Sequence, residues 1–500
     1  MDLRAIVGQI DAQSTQALGL GLFEDEEMPL SGVAANLDQN LRGAISELFI
    51  QGDFRAKKNE TLALYTYGLI PAKRIVLVGL GKREAFSADT LRQAAASLAK
   101  KARELGVSEL HVSIPEGKVV MSPATAAEAI AEGASLGLYR FTEFKTELND
   151  QKPDPDRLVL VTPESDEFSE IEAGLRTGQI IAQSTALART LVNGPSNVVT
   201  PSHMAQAAQE MAAASGLHCR ILDKTTMEAL GMRLLLSVNR GGDEPAQMVI
   251  LEHNPGDPKL PTVVLVGKGI TFDTGGISLK PSQNLEKMKG DMGGAAAVFG
   301  ALRAAALLDV PLHVVGLTPL TENMPDARAT KPGDVIRSLK GLTVEIINTD
   351  AEGRLILADT LTYAEEFIPD AILDVATLTG GRVIALGDHA AAVMGDDDLI
   401  EALRRAGERT GERVWPLPLF EAYGEQLKSE VADLMNVGGR AASTITAGFF
   451  LSKFVPDDIP WAHIDIAGLG LTDKAEAYTP KGGTGFGVRL FIELLRNWRA

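Results

Sequence analysis

The chain switches repeatedly between two hydrophobic patterns, and that alternation leaves it essentially one fold class. Short apolar runs rich in Val, Ile and Leu (KRIVLVGLG, 73–81; ELHVSI, 109–114; RLVLVTP, 157–163) alternate with longer segments of helical period (SADTLRQAAASLAKKARELG, 87–106; TAAEAIAEGASLGLY, 125–139). Strands that take turns with helices imply α/β architecture, with helices packed on a mainly parallel sheet. The polar, Pro-containing LNDQKPDPD (148–156) reads as a loop.

A long amphipathic helix is expected over about 167–192, ended by NGPSN (193–197). It links a smaller N-terminal α/β domain, 1–165, to a larger C-terminal α/β domain, 166–500, with a mixed, largely parallel central sheet flanked by helices. In the larger part QMVILEHN, TVVLVGKGITFD, HVVGLTPL, TVEIINTD, AILDVATLTG and WAHIDIAG all read as buried strands. Acidic, Gly-rich turns follow several of them, and ligands of open α/β sheets bind at the carboxyl ends of strands.

Composition narrows the function. A formal net charge of −18 opposes non-specific nucleic-acid binding, which needs Lys and Arg to replace counterions. The single cysteine, Cys219, rules out an intrachain disulfide and reads as a core residue. The N-terminus has early acids and no long apolar stretch, and no apolar run reaches the roughly 18 residues a membrane span requires. The expected location is the cytoplasm, with no membrane partner.

Familiar chemistries fail on the residues. No G-x-x-x-x-G-K-[ST] loop occurs, and VGLGKRE has Glu84 where a dinucleotide fingerprint needs its third glycine. No G-x-S-x-G elbow and no H-E-x-x-H pair is present. His463, in WAHIDIAG, reads as a satisfied core histidine.

Three segments carry what remains. GKGITFDTGGISLKP holds Lys268, Asp273 and Lys280; GDMGGAAAVFG holds Asp291; NTDAEGRL holds Asp350, Glu352 and Arg354. Taken alone, Asp291 reads as an N-cap and Asp273 as an Asx-turn residue. In an extended chain Asp350 and Glu352, two apart, point to one side while Ala351 points away. Apolar flanks predict burial for both acids, and buried carboxylates need positive partners that Arg354 alone does not supply. Asp273, Asp291, Asp350 and Glu352 sum to −4, which two divalent cations balance if Lys268 is a neutral amine. Carboxylate oxygens with one nitrogen suit Zn²⁺ or Mn²⁺.

At these residues the chain resembles the leucyl aminopeptidase family, the cytosolic two-metal aminopeptidases. NTDAEGRL matches the family's signature octapeptide, and VGKGITFDTGGISLKP and DMGGAAAV match its companion segments. The likeness continues through ATLTGG (376–381), 432–454 and WAHIDIAG, so it covers about 165–500 strongly. The first 165 residues are similar only in pattern to the family's variable, macro-like N-terminal domain, which implies a role in assembly or access. One departure is Gly293, where the family often has Cys.

The resemblance implies a role for each matched residue. Lys268, Asp273, Asp291, Asp350 and Glu352 would hold two divalent ions, Mn²⁺ or Zn²⁺, with Asp273 and Glu352 bridging. Lys280 and Arg354 would be catalytic, Lys280 stabilising an oxyanion and Arg354 holding bicarbonate as the base. Asn348, Met288, Thr377, Leu378 and Gly380 fall where the family contacts substrate. The implied reaction is removal of N-terminal residues, Leu and other apolar ones first, from short peptides, by attack of a hydroxide that bridges the metals. The implied biological role is intracellular peptide turnover, and the implied assembly is a homohexamer, a dimer of trimers. Two other readings compete: a DNA-binding regulator, opposed by the charge, and another two-metal hydrolase such as a phosphatase, which would need further cationic groups.

Overall fold

The computed structural model describes residues 1–115, 121–147 and 152–499. Of the loop expected at 148–156, residues 148–151 lie outside them. The chain forms two compact units, Met1–Gln183 with Lys474–Pro480, and Ser184–Asp473 with Lys481–Ala500. The division falls within a continuous helix, Phe168–Asn193.

The first unit is built on six strands in the order Asp2–Val7, Arg157–Thr162, Glu109–Val112, Ala17–Leu22, Arg74–Gly79, Thr61–Tyr65. Every neighbouring pair is parallel except the last. Its strands are apolar at successive positions because both faces are covered. Val76 and Val78 enter one core with the helices Ala88–Leu105 and Pro123–Leu138, while Ile75 and Leu77 enter the core on the opposite face. Leu158 and Leu160 divide from Val159 and Val161 in the same way. This is the two-residue period of a strand.

In the second unit the order is Val414–Pro416, Ala391–Gly395, Trp461–Asp465, Ala371–Ala376, Thr262–Gly267, His313–Asn323, Gln247–His253, His218–Leu222. The four strands from Trp461–Asp465 to His313–Asn323 are mutually parallel, and their outer neighbours run antiparallel. The carboxyl ends of those four strands therefore share one edge. Lys268 follows one of them, Thr377 follows the next, and Asp465 closes the third.

The helix Gly293–Leu307 packs on this edge through small residues. A β-carbon at Gly294 would stand 2.2 Å from Val375 O and 2.8 Å from Lys268 N, so only glycine permits the approach. The contact pins Lys268 from both sides: its N–H donates to Val375 O (3.0 Å) and its C=O accepts from Ala295 N (2.8 Å).

Two expected strands differ from the structure. TVVLVGKGITFD is broken at Lys268 into Thr262–Gly267 and Gly269–Asp273: the Lys268 N–H still donates to Val375 O on the neighbouring strand, but its C=O leaves the sheet for Ala295 N of the helix. In TVEIINTD only Thr343–Glu345 is strand, in a small separate sheet with Val335–Arg337 and Leu434–Met435. Beyond it the donors go to loops: Ile346 N to Asp334 O, and Ile347 N to Asn436 Oδ1.

Candidate active site

The octapeptide does not bring its acids together by strand alternation, as an extended reading requires. Thr349 and Asp350 form a turn, Glu352 is already in helical conformation (φ −74°, ψ −35°), and the helix Gly353–Tyr363 follows at once. Asn348 Oδ1 accepts from Asp350 N (2.9 Å) and closes that turn. The two carboxylates thus converge around a bend.

Lys268 is 2% exposed, and its Nζ lies 2.7 Å from Asp291 Oδ2, 2.8 Å from Glu352 Oε1 and 3.0 Å from Thr377 O. Lys280 Nζ meets Asp273 Oδ2 and Asp350 Oδ1. One oxygen each of Asp273, Asp350 and Glu352 lies within 4.8 Å of the others. Glu352 joins the two groups, one around each lysine. All five expected metal-ligating residues and Lys280 are therefore in one cluster.

The bland alternatives for the acids resolve differently. Asp291 does not cap the helix after it: Met292 is the N-cap residue, without a side-chain cap bond. Its Oδ1 instead accepts from the Thr377 hydroxyl (2.7 Å). Asp273 does make an Asx-turn, accepting from Gly275 N (2.9 Å), and also receives Asn323 Nδ2 (2.8 Å) while its other oxygen faces Lys280.

Electrostatics describe a site built for cations. Burial raises the Asp291, Glu352 and Asp350 pKa values, and the charge of Asp273 raises them further; the lysines act in the opposite direction. Burial alone would depress Lys268, but Asp291, Glu352 and Asp273 outweigh it and hold the group as an ammonium. Lys280 is raised on the same balance by Asp273, Glu352 and Asp350. A neutral Lys268 amine therefore requires divalent cations to take over the proton's part. The residues fit such ions on one further ground: Glu352 Oε2 is buried and has no hydrogen-bond partner among the described residues, a costly state that a cation would relieve.

Arg354, in the first turn of the Gly353–Tyr363 helix, is 6% exposed. Its Nη1 donates to Asn436 O (2.7 Å), and its Nε has no partner among the described residues. It forms no ion pair with Asp350 or Glu352 in the geometry described. Burial lowers its pKa to about 10.

The expected substrate contacts are spread around this cluster. Thr377 touches Lys268 and Asp291 directly. Leu378 N donates to Asp465 Oδ1 (3.2 Å). Met288 lies in the 3₁₀ turn Leu285–Gly290, and its C=O accepts from Asp291 N (3.2 Å). Gly380 is exposed at the start of the helix Gly380–Leu386. At Gly293 a β-carbon would meet only Thr377 Cγ2, at 3.7 Å, and Gly470 Cα, at 3.9 Å, so the site accepts a larger residue where this chain has glycine.

Sequence reasoning missed the residues that hold these in place. Asn323 braces Asp273 and Thr349 O; Asp465 receives Leu378 N and the Thr379 hydroxyl (2.6 Å); Asn436 grips the octapeptide. The only signal available was a polar residue in an apolar run, as in HIDIAG and ADLMNV. His463 is fully buried against Asp374 (Nδ1 to Oδ1, 2.5 Å), whose other oxygen takes Trp461 Nε1 (2.8 Å). It is not among the cluster's ligating groups. Its Nε2 is buried with no partner among the described residues, so the expectation of a satisfied core histidine holds for one nitrogen only.

Four carboxylates and two lysines converge beside the strand ends of an α/β sheet, a donor set that suits a metal-dependent hydrolase. Residues 186–492 match the catalytic domain of the cytosol aminopeptidase family, and residues 20–148 match its N-terminal domain. A probable cytosol aminopeptidase of Geobacter sp. is 46% identical over 485 residues, 97% of each protein. Among solved structures, the bottromycin maturation enzyme BotP in complex with Mn superposes with a TM-score of 0.84 at 38% identity, covering 96% of this chain and 99% of that one. A mutant of tomato leucine aminopeptidase gives 0.90 at 31% identity, covering 99% and 96%. The chain belongs to the cytosol aminopeptidase family, and its class of activity is that of a metal-dependent aminopeptidase.

Proposed function

We propose that this protein removes N-terminal amino acids, preferentially Leu and other apolar residues, from short peptides, using two divalent ions per subunit, Mn²⁺ or Zn²⁺. The observation that carries the reading is Glu352, one oxygen on Lys268 and the other buried and unpartnered, between two carboxylate groups. Asp273, Asp350 and Glu352 would hold one ion; Lys268 and Asp291, with shared carboxylates, the other. Bound ions supply an acidified water and polarisation of the scissile carbonyl.

The protein's own groups do the remaining work. Lys280 is partly exposed, and its ammonium faces the position of Asp273 and Asp350, where it can donate to the oxyanion of a tetrahedral intermediate. Arg354 offers a guanidinium fork with one nitrogen engaged by Asn436, leaving an edge for a planar anion such as bicarbonate to act as base. Leu378, which follows Thr377, and Met288, whose C=O accepts from Asp291 N, are the apolar residues adjoining the ligating groups on which the preference for apolar residues is proposed.

The wider setting is part of the same proposal: peptide turnover in the cytoplasm by a homohexamer arranged as a dimer of trimers. No helix among the described residues is long and apolar enough to cross a membrane.

The test is release of p-nitroaniline from leucine p-nitroanilide, with Mn²⁺ or Zn²⁺ and with chelator. Metal-dependent, chelator-sensitive turnover is expected, faster for Leu and Met than for acidic residues. Failure to cleave any amino-acid anilide, whatever the metal, would end the proposal.

A further inference from the structure

We infer that Asn436 is the positioning residue that sets Arg354 and the octapeptide turn relative to one another, an inference that rests on the peptidase reading above. Asn436 is fully buried. It arrives on the strand Leu434–Met435, which pairs in parallel with Thr343–Glu345. Asp433 latches that pairing, its Oδ2 receiving both the N–H and the hydroxyl of Thr343 (2.8 and 2.7 Å). The strand that leads into the octapeptide therefore also fixes where Asn436 stands.

Every polar group of Asn436 is spent on the segment 345–354. Its N–H donates to Glu345 O (2.9 Å). Its Oδ1 accepts from Ile347 N (2.8 Å) and Asn348 N (3.3 Å), and its Nδ2 donates to Asn348 O (2.7 Å). Its backbone carbonyl accepts from Arg354 Nη1 (2.7 Å). Asn348 passes the constraint on, since its Oδ1 receives Asp350 N (2.9 Å). One residue thus fixes the turn that aims Asp350 and, through its carbonyl, the orientation of the guanidinium.

The chemistry demands an amide. The side chain must accept at one end and donate at the other within a dry site. Aspartate has the same shape but no donor, and its second oxygen would face Asn348 O. Alanine removes the partner of two backbone N–H groups and one C=O of the turn, and it frees the backbone that presents the carbonyl to Arg354.

The experiment compares N436D, N436A, R354A and the double variant R354A/N436A in the full-length enzyme. It measures kcat and KM on leucine p-nitroanilide at saturating Mn²⁺, with bound Mn²⁺ counted and folding followed by circular dichroism. N436D and N436A should lower kcat about tenfold to a hundredfold, as small misplacements of catalytic groups do, with KM and bound Mn²⁺ little changed. The double variant should lose less than the product of the two single losses, because Asn436 acts in part through the Arg354 guanidinium. Fully multiplying losses in the double variant would overturn the hold of Asn436 on Arg354, and N436D turning over at the wild-type rate would overturn the whole inference. If N436A does not fold, N436D, of the same shape, decides alone. R354A at the wild-type kcat would remove the role of Arg354; a slow N436D beside it would still support the hold on Asn348 and Asp350.

Discussion

The Lys268 side chain lies across Gly353: a β-carbon at that glycine would stand 2.6 Å from Lys268 Cε and 2.8 Å from its Nζ. Lys268 cannot swing aside freely, because Asp291, Glu352 and Thr377 O all hold its Nζ. The glycine of the octapeptide is therefore the space that a residue from another strand occupies.

Gly353→Ala should disturb both function and fold. The β-carbon would overlap the held Lys268 side chain, and overpacking of a filled buried site costs about 1–3 kcal/mol, against at most about 1 kcal/mol that alanine gains over glycine in a helix, so the melting temperature should fall. Bound metal and kcat should each fall at least about tenfold, the usual scale for a disturbed metal-ligand shell. A variant with both unchanged would show that the contact does not matter.

Lys280→Ala should reduce kcat by about 10²-fold or more, the usual cost of an oxyanion donor, with KM little altered. Metal content, read by elemental analysis, should stay at the wild-type level. A large drop in metal content would instead assign Lys280 to holding the carboxylates.

Thr377 distinguishes substrate contact from ligand support. Its hydroxyl donates to Asp291 Oδ1 at 2.7 Å, so Thr377→Val should weaken metal binding more than substrate binding. Calorimetric Mn²⁺ titration beside Michaelis kinetics checks this; a change in KM alone would contradict it.

Metal affinity should rise with pH through the neutral range. Burial and the charge of Asp273 raise the Asp291, Glu352 and Asp350 pKa values, so protons compete with cations at a higher pH than at ordinary carboxylates, which ionise near pH 4. Mn²⁺ titrations in buffers of different ionisation enthalpy should show proton release on binding. Affinity that is flat from about pH 5 upward would rule this out.

Asp359 predicts a slope in stability. It is fully buried on the octapeptide helix and accepts from Leu235 N (3.1 Å) and Leu339 N (2.8 Å), yet burial pushes its pKa up to about 7. Unfolded, the group releases its proton near pH 4, so between that pH and about 7 the native state holds the proton that the unfolded state has lost. The contribution of this group is full below the unfolded value and declines as pH rises, by up to about 1.4 kcal/mol per pH unit. Denaturant titrations should show the slope in the wild type and a flatter one in Asp359→Asn, whatever the variant's absolute stability. Equal slopes would mean that Asp359 is ionised in the native protein.

Much of this was legible in the sequence because its signals are local. The two-residue period that divides Val76 and Val78 from Ile75 and Leu77 lies within one strand. The acids and lysines of the site stand in three short motifs whose residue types alone suggest cations. Where local pattern and long-range partners conflicted, the pattern misled. The β-branched run TVEII predicts a strand through Asn348, but Asn436 and Asp334 take its backbone donors and turn it into a loop. Arg354, next but one after Glu352, looks like a salt-bridge partner, yet the helix carries it to the Asn436 carbonyl.

By itself, the sequence determined an α/β architecture and the set of charged groups that a metal site needs, because hydrophobic period and side-chain chemistry belong to residues one at a time. Only the tertiary structure decided which groups meet. Lys268 reaches Thr377 because parallel strands end on a common edge, and it reaches Glu352 because glycine at 353 leaves room for its side chain. Arg354 stands apart from the acids because Asn436, 82 residues away, is delivered beside it by a two-residue strand. Such pairings depend on strand order and packing, which no stretch of local sequence contains.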